Sequence, residues 1–455
     1  MDMRVTETGH TALTDPGRYF IDEPQAFNVH RDLFRDQALF ELEMAHVFEA
    51  GWVFLCHESQ LPNPHDFYTT QLGRTPVVVL RGEDGALRGF VNACPHRGTR
   101  LYTARHGTAQ VQMCPYHAWC FDSAGHCVKI KDQSQAGYAP GFDGERHDLT
   151  PLAHLTSYQG FVFGALRADV PALADYLGDT RFFIDTFAEQ SAQGMEILPG
   201  EVTYVYRGNW KLQVENTMDI YHLTTVHSTF AKIVQQRGER EASAAGADKV
   251  KAVNLGALSG LQAGTYTFPH GHTVFWGSDP LRENRALWAM RDDLLTRGVD
   301  AHKVEWMFRP RVLNFFPNIQ FVDSACMQLR VIRPLAVDRT EMTMFCLAPR
   351  GEPREGRRRR LRQYEDFFNA SGIATPDDVA CYEDIHAGGL AHANSEWIQG
   401  FSRGMQYVVD GPDSHAREIG IRPLESCSGV EVQDETVFRG FYREWRRRLE
   451  AATHD

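Results

Sequence analysis

Short apolar stretches separated by turn residues dominate the chain between Gly51 and about Leu166. The stretches have strand length and are rich in Val, Phe and Tyr: WVFLCH, DFYTTQL, TPVVVLRG, LRGFVNA, HCVKIK and GFVFGAL. Turn dipeptides such as Asp84-Gly85 and Ala124-Gly125 lie between them. Apolar runs of this length, bounded by turn signals, are typical of β-strands. The pattern therefore predicts a small all-β domain at residues 51–166.

The pattern differs on both sides of this domain. Residues 35–49 place apolar side chains near helical spacing, which indicates an amphipathic helix. We expect residues 1–50 to form an arm and a helix that pack on the larger domain. After the β domain, residues 170–200 have the pattern of a helical link.

The remaining chain, residues 167–455, mixes strand and helix patterns. Strands are predicted in FPHGHTVFW, PNIQFVDSACMQLRVIRPL and RTEMTMFCLAP, and helices at residues 357–369 and 377–387. Runs of strands together with segregated helices favour an antiparallel sheet covered by helices. The predicted fold class is therefore α+β, with a small all-β domain near the N-terminus and a larger domain of sheet and helices.

The size and charge of the chain limit what it can do. Its 455 residues are too many for one core. The formal net charge of −12 argues against nucleic acid or an anionic membrane as the main partner. No apolar run approaches the roughly 18–20 residues of a membrane span, and the first residues lack the apolar core of a secretory signal. We expect a cytoplasmic protein whose nine cysteines are thiols or metal ligands.

Two loops of the β domain carry candidate metal ligands. Cys94 and His96 lie in the first loop, Cys114 and His117 in the second, with the spacing C-x-H-x17-C-x2-H. Two Cys and two His fit either a zinc site or a [2Fe–2S] cluster in which imidazoles replace two thiolates. Zinc fingers keep their Cys pair and their His pair together, whereas each loop here offers one of each. This mixed pairing favours the cluster.

A second group of candidate ligands lies in the larger domain. Asp219, His222 and His227 have the spacing D-x2-H-x4-H. Two His and one carboxylate form the ligand set that holds non-haem Fe(II) for oxygen chemistry. In a regular helix Asp219 and His222 would share a face, whereas His227 would lie about 140° away from His222. We therefore expect Asp219 and His222 on one helix that ends, or carries a π-type bulge, between the two histidines. Two surface histidines on a helix are the alternative interpretation.

These paired motifs resemble one protein family. The cluster loops followed by EN-x2-D-x-YH-x4-H are similar to the catalytic α subunit of Rieske-type aromatic-ring-hydroxylating dioxygenases. The resemblance is closest to the benzoate, anthranilate and halobenzoate group. The segments that carry this closer match are Leu39–Pro62, Gly208–Leu212 and Arg362–Asp378. The resemblance extends over most of the chain.

The resemblance implies a role for each motif residue at the two metal centres. It assigns one iron of the Rieske [2Fe–2S] cluster to Cys94 and Cys114, and the other to His96 and His117. The resemblance also implies a mononuclear Fe(II) held by three ligands: His222, His227 and Asp378. Asp377 is the alternative third ligand, and a helix N-cap is the structural alternative for it.

Two further residues beside the mononuclear site are implied to be functional. Asp219 would bridge the centres, with hydrogen bonds to His222 and to the cluster ligand His117 of a neighbouring subunit. The spacing itself lets Asp219 orient the His222 ring. Asn216 would be a polar neighbour of the iron.

Substrate contacts are predicted at three positions. Gln328 and Arg330 share a face of a predicted strand, and either side chain could contact a substrate carboxylate, Arg bidentately. A salt bridge at the surface or between subunits is the alternative for Arg330. His272, in the H-x-H of His270 and His272, could line the pocket; a second metal pair and ordinary packing are the alternatives.

The predicted function is that of a terminal oxygenase component. No G-x-G-x-x-G fingerprint follows a predicted strand, so electrons from NAD(P)H would arrive through a separate reductase, with or without a ferredoxin. The resemblance implies O2-dependent dihydroxylation of an aromatic carboxylate to a cis-diol or catechol, with anthranilate, halobenzoate, salicylate and benzoate all possible. It also implies a homotrimer or, with a β subunit, an α3β3 hexamer. A Rieske monooxygenase, a Rieske electron carrier and a zinc-binding scaffold protein are the alternatives.

Overall fold

The N-terminal segment forms a small sheet with a strand from the far end of the chain. The computed structural model describes residues 16–245, 261–279, 282–324, 326–389, 396–398, 400–429 and 434–452. Strands β1 (Phe20–Glu23) and β2 (Ala26–His30) form a hairpin, and β2 also pairs with the later strand Trp397–Ile398. Helix α1 (Gln37–Glu43) follows and continues as a π-helical turn at Met44–Phe48. The predicted helix is thus present, and the predicted arm at residues 1–15 lies outside the described residues.

The β domain contains three small sheets. Their orders are β6-β5-β4-β7, β10-β9-β8 and β11-β12-β3. The strands are β3 (Val53–His57), β4 (Asp66–Leu72), β5 (Thr75–Arg81), β6 (Leu87–Val91), β7 (His106–Thr108), β8 (Val111–Met113), β9 (Cys120–Asp122), β10 (Cys127–Lys129), β11 (His154–Tyr158) and β12 (Phe161–Ala165). The polar, partly exposed strand β11 has no apolar run that would predict it. The boundaries at residues 50 and 166 stay a prediction.

The larger domain is built on one antiparallel sheet. Its order is β13-β20-β19-β18-β17-β16-β15-β23-β22, and β14 also pairs with β20. Its strands are β13 (Met195–Ile197), β14 (Val202–Arg207), β15 (Ala263–Thr267), β16 (Thr273–Gly277), β17 (Arg311–Phe315), β18 (Ile319–Asp323), β19 (Met327–Ala336), β20 (Arg339–Pro349), β22 (Val408–Asp410) and β23 (Glu425–Gly429), while Trp397–Ile398 is β21. The predicted α+β class is confirmed.

Helices cover this sheet. They are α2 (Leu173–Leu177), α3 (Arg181–Ala188), α4 (Trp210–Met218), α5 (Leu223–Val226), α6 (Ser228–Ala245), α7 (Arg291–Thr296), α8 (Ala301–Phe308), α9 (Arg354–Gln363), α10 (Thr375–Gly389), α11 (Ser414–Glu418) and α12 (Val437–Ala452). Among the helices of the described residues, none combines the length and the apolar character that crossing a bilayer requires.

The two faces of the large sheet pack on different elements, because successive side chains of a strand point to opposite faces. Val312, Val322 and Ile332 belong to a core that includes α4, α12 and the N-terminal helix. Phe315 and Phe321 belong to a second core that includes α3 and strands β3 and β12 of the β domain. The sheet therefore separates α4 from the β domain of the same chain.

A buried ion pair connects the N-terminal helix to α4. Lys211 and Glu43 are both almost fully buried and form a salt bridge. The Glu43 carboxylate also accepts hydrogen bonds from the indole N–H groups of Trp210 (2.8 Å) and Trp445 (2.7 Å). Residues of α1, α4 and α12 thus share one carboxylate, which fixes the position of α4.

Removing only the lysine of this pair should destabilise the protein strongly. Lys211→Met leaves Glu43 buried without its countercharge, so we expect the free energy of unfolding to fall by about 3–5 kcal/mol. Urea denaturation followed by tryptophan fluorescence measures this loss. The double variant with Glu43→Gln removes the uncompensated charge but keeps an acceptor for only one of the two indoles, so it should recover part of the loss. A loss below about 1 kcal/mol in the single variant would contradict the importance of the pair.

Candidate functional site

The two loops that carry the Cys and His pairs have the same backbone turn. In each loop the cysteine N–H donates to the carbonyl five residues later, at 2.8 Å for Cys94 and 2.7 Å for Cys114. In each, the N–H four residues later donates back to the cysteine carbonyl, from Gly98 (2.8 Å) and from Ala118 (3.0 Å). Both of these later residues have positive φ, 74° and 56°. The two loops therefore present their ligands as a matched pair.

The side chains of these loops fit an iron–sulfur cluster. Cys94 and Cys114 are buried, and the rings of His96 and His117 lie with centroids 4.6 Å apart. Burial, together with the neighbouring Cys114 thiol, raises the pKa of Cys94 to about 11, so a thiolate there requires a positive partner. The buried Nδ1 of His117 has no hydrogen-bond partner among the described residues, as expected of a nitrogen that binds metal.

The chain around the second group of ligands is broken twice. Helix α4 ends at Met218, and Asp219 is extended with φ −86° and ψ 116°. The short helix α5 then separates His222 from His227, and α6 begins directly after His227. The predicted break near the second histidine is present, but Asp219 and His222 do not share a regular helix as we expected. Helix α4 ends before Asp219, and a turn leads from Asp219 to His222, which corrects that expectation.

Three of the predicted ligands converge. Donor atoms of His222, His227 and Asp378 lie within 4.8 Å of one another. The Asp378 Oδ1 atom is 3.2 Å from His227 Nε2 and 3.6 Å from His222 Nε2. This compact set fits one ion. Among the described residues, the Cys and His of the two loops are not part of such a compact set.

A carboxylate lies behind each histidine. His222 Nδ1 is 3.1 Å from Asp219 Oδ2, and His227 Nδ1 is 4.0 Å from Asp377 Oδ2. Burial lowers the pKa of His222, but the hydrogen bond and charge of Asp219 and the charge of Asp378 outweigh it, so the pKa is raised. Asp377 is 40% exposed and Asp378 is 7% exposed. Asp377 therefore lies outside the compact set, beyond the ring of His227.

Asn216 and Glu215 lie on α4 beside the three convergent ligands. Asn216 Nδ2 donates to Asp378 Oδ1 (3.2 Å) and is 3.4 Å from His222 Nε2. Burial raises the pKa of Glu215 to about 8, and its carboxyl accepts a hydrogen bond from Tyr442. Helix α4 thus directs the neutral amide of Asn216 towards the site. It directs the carboxyl group of Glu215, protonated at neutral pH, towards the core.

Glu215 should make stability depend on pH. Its folded-state pKa lies above the ordinary value of 4.5. The folded chain therefore holds this proton more tightly than the unfolded chain. The resulting stability is complete below pH 4.5 and is lost as pH rises through about 8. Because the amide of Glu215→Gln mimics the protonated acid, we expect that variant to lose less stability than wild type between pH 6 and pH 9.

Urea denaturation at several pH values tests this difference. Glu383→Gln is the matched control, because Glu383 is partly exposed and its hydrogen bonds from Arg207 lower its pKa. Its pH dependence should follow wild type. Parallel curves for wild type and Glu215→Gln would contradict the protonated state of Glu215.

The predicted substrate contacts have different surroundings. Gln328 and Arg330 are buried on one face of β19, the face that packs on α4, as the alternation predicted. His272 lies in a tight turn between β15 and β16, where we expected a strand. Its Nε2 is 2.9 Å from the Tyr176 carbonyl and its Nδ1 accepts from the Phe316 N–H (3.2 Å). Both ring nitrogens are occupied within the protein, and the substrate contact of His272 stays a prediction.

Sequence reasoning missed a buried polar cluster beside α4. Thr217 donates to Gln320 Oε1 (2.9 Å) and accepts from Gln213 (2.7 Å) and from Arg330 (3.1 Å). Gln320 in turn lies 3.4 Å from Asn314. Polar residues at inward positions of otherwise apolar strands, such as Gln320 in NIQFVD, are the signal that could have revealed it.

Comparison with known proteins agrees with this arrangement. The sequence profile described as "Rieske [2Fe-2S] domain" matches residues 51–157. The profile described as "Ring hydroxylating alpha subunit (catalytic domain)" matches residues 198–451. The toluate 1,2-dioxygenase subunit alpha of Pseudomonas putida is 44% identical, over 93% of this chain and 91% of that protein. The chain belongs to the ring-hydroxylating dioxygenase alpha subunits.

A second relative supports the same family, and a solved structure has the same fold. The 2-halobenzoate 1,2-dioxygenase large subunit of Burkholderia cepacia is 38% identical, over 92% of this chain and 88% of that protein. The fold matches a structure of naphthalene 1,2-dioxygenase with indole bound, with a TM-score of 0.78, 22% identity and coverage of 94% of this chain and 93% of that chain. As an alpha subunit of this family, the protein carries a Rieske [2Fe–2S] cluster and a mononuclear iron.

Proposed function

We propose that this alpha subunit is the terminal oxygenase that adds both atoms of O2 to the ring of an aromatic carboxylate. The reaction consumes one O2, two electrons from NAD(P)H and two protons, and gives a cis-diol or, where the diol loses both CO2 and an ortho amino or halo substituent, a catechol. The observation that carries the proposal is the compact set of His222, His227 and Asp378 in a chain that also carries a cluster domain. This is the ligand set of non-haem iron oxygenases.

The residues of the chain have separable tasks in this proposal. His222, His227 and Asp378 would hold the mononuclear iron, and Cys94, His96, Cys114 and His117 the cluster. When bound, the ferrous ion supplies the binding and reduction of O2. Asp219 accepts at Oδ2 from the Nδ1–H of His222 (3.1 Å) and fixes the orientation of that ring. Asn216 donates to Asp378 Oδ1 and holds that carboxylate towards the histidines.

The choice of an aromatic acid follows from two relatives. The proteins named toluate 1,2-dioxygenase and 2-halobenzoate 1,2-dioxygenase are 44% and 38% identical to this chain. Both named substrates carry a carboxylate on a benzene ring. We therefore propose benzoates, with 2-amino, 2-halo, 2-hydroxy or methyl substituents, as the substrate class.

Turnover of substituted benzoates with 18O2 tests the function. The purified oxygenase would be supplied with NADH, a surrogate reductase, and each of benzoate, 3-methylbenzoate, 2-chlorobenzoate, 2-aminobenzoate and 2-hydroxybenzoate. From benzoate, 3-methylbenzoate, 2-chlorobenzoate and 2-aminobenzoate we expect products that carry two 18O atoms from one O2. One labelled atom would instead identify a monooxygenase. Absence of product from all five acids, with both metal centres intact, would contradict the proposed function.

The partners of the protein belong to the same proposal. We propose a separate reductase as electron donor, with or without a ferredoxin, and a homotrimer or an α3β3 hexamer as the assembly. Co-expression with a neighbouring small-subunit gene and measurement of the particle mass would distinguish the two assemblies. A cytoplasmic location stays a prediction, which fractionation of cells would test.

A further inference from the structure

Arg330 is a buried cation without a carboxylate partner among the described residues. Its side chain is 5% exposed and stacks on the ring of Phe368, with 4.5 Å between Cζ and the ring centroid. Nη1 donates to Thr217 Oγ1 at 3.1 Å, while the buried Nε has no partner in the described part of the chain. A buried charge is costly unless it is paired. The guanidinium edge that carries Nε is therefore open to an anion.

Other unpartnered polar atoms lie on the same face of the sheet. Arg330 is directly opposite Gln320 on β18, and Gln320 is opposite Asn314 on β17. Gln328 lies two residues before Arg330, about 7 Å along the strand. Within the described residues, Asn314 Nδ2 and both polar atoms of the Gln328 amide have no partner. A buried polar atom that stays unpaired destabilises the folded protein. Because these unpartnered atoms lie together on one face of the sheet, we interpret them as the binding site of a polar ligand.

This polar group adjoins the three metal ligands. Arg330 bonds to Thr217, the residue after Asn216, and Asn216 contacts Asp378. A run of rings makes a second connection: Phe368 packs on Phe367 (4.1 Å between centroids), which packs on His227 (5.6 Å). Packed aromatic rings therefore connect Arg330 to the metal ligand His227.

The partly buried Tyr204 side chain lies near both charged groups. Burial raises the pKa of Tyr204 to about 12, and the charges of Arg330 and Asp378 act on it with opposite signs. The charges of Arg330 and Asp378 also act on the pKa of the buried Tyr382. Both tyrosines thus lie close to Arg330 and to the third metal ligand, so the two charged groups border one region of the domain interior.

We infer that Arg330 binds the carboxylate of the aromatic substrate and, with Gln328 beside it, selects aromatic acids over uncharged arenes. A carboxylate matches the guanidinium edge that carries Nε and can accept two parallel hydrogen bonds there. The same carboxylate supplies the countercharge that Arg330 lacks in the described residues. The adjoining Phe367 and Phe368 suit the benzene ring. This inference rests on the proposed function, because it needs an aromatic acid as substrate.

Paired charged and neutral ligands test the assignment. Binding of benzoate and of benzamide to the anaerobic holoenzyme would be measured by calorimetry, and KM and kcat with benzoate by product formation. In Arg330→Gln we expect the Kd and KM for benzoate to rise roughly 10- to 100-fold, since a hydrogen bond to a charged group contributes that much. The Kd for benzamide should change little. Arg333→Gln is the matched control, because Arg333 lies on β19 facing the other way and pairs with Glu341 (3.1 Å).

The outcomes separate this inference from the proposed function. A wild-type enzyme that neither binds nor oxidises benzoate, 2-aminobenzoate or 3-methylbenzoate would contradict the proposed function itself. Wild-type oxidation of benzoate together with an unchanged benzoate-to-benzamide preference in Arg330→Gln would overturn only the role of Arg330, and would mean that water satisfies these buried atoms.

A second variant covers loss of folding. If Arg330→Gln yields no protein with cluster absorbance, Arg330→Lys is measured in its place. Lysine keeps the positive charge but lacks the two parallel N–H donors of the guanidinium. Its benzoate affinity should lie between wild type and a roughly 100-fold loss. Gln328→Leu should also weaken benzoate binding. Unchanged benzoate affinity in both Arg330→Lys and Gln328→Leu would overturn the inference.

Discussion

Alanine at position 378 should empty the mononuclear site and leave the cluster in place. Asp378 supplies the carboxylate of the compact set, and its Oδ1 atom lies within 3.6 Å of both histidine Nε2 atoms. In Asp378→Ala we expect the iron content to fall from about three to about two atoms per chain. Turnover should fall at least roughly 10³-fold, because the lost ion supplies the oxygen chemistry.

The neighbouring aspartate is a matched control for this variant. Asp377 lies in the same first turn of α10, but it is 40% exposed and 4.0 Å from the Nδ1 atom of His227. Asp377→Ala should keep the mononuclear iron and lose at most about 10- to 100-fold in turnover, the range for a residue that only orients a ligand. Iron analysis and the reduced Rieske paramagnetic signal measure both centres. If Asp377→Ala lost the iron and Asp378→Ala kept it, the ligand assignment would be reversed.

The cluster loops could be located from sequence because each ligand pair spans only three or four residues. Such a pair is brought together by one tight turn, and both loops contain the same turn, with a residue of positive φ four positions after the cysteine. The strands of the surrounding β domain could also be predicted from sequence, because its apolar runs coincide with strands such as Asp66–Leu72 and Phe161–Ala165. Local patterns determine these features.

Other parts of the site depend on contacts between distant segments. Asn216 and Asp378 are hydrogen-bonded although 162 residues separate them. Spacing alone did not identify the third carboxylate, which came from the family resemblance. Helical periodicity did not predict the structure at Asp219 correctly. The Asp219 side chain accepts hydrogen bonds from the backbone N–H groups of Tyr221 (2.5 Å) and His222 (3.3 Å). These bonds compete with the backbone hydrogen bonds of a continuing helix. The pairing of Asp219 with His222 was predicted, but a turn produces it.

The H-x-H at 270–272 shows a further limit. Its residues read as part of a strand with FPHGHTVFW, yet His270 has a φ of 63° and Gly271 a φ of 75°. Two successive positive φ values make a turn that strand propensity does not reveal. The buried polar atoms around Arg330 are a comparable case, since only the register of β17, β18 and β19 brings Asn314, Gln320 and Arg330 into one row.

Asparagine at position 219 should leave both metal centres filled and separate them functionally. The Asp219 Oδ2 atom accepts from the His222 ring, while Oδ1 caps the chain that leads to α5. Asparagine can keep the cap, but its amide N–H₂ opposes the ring N–H as donor against donor. We expect about three irons per chain, a normal Rieske signal, and turnover reduced at least about 100-fold.

A single-turnover experiment distinguishes this effect from general damage. With the cluster reduced in advance and benzoate and O2 added, wild type should oxidise its cluster and form product, whereas Asp219→Asn should keep a reduced cluster and form almost none. Asp366→Asn is the control, since Asp366 is a partly buried acid that pairs with Arg237 (2.8 Å) and Arg362 (2.7 Å) outside the site. A wild-type product yield in Asp219→Asn would refute the bridging role. Loss of iron in that variant would show instead that Asp219 only holds His222 in place.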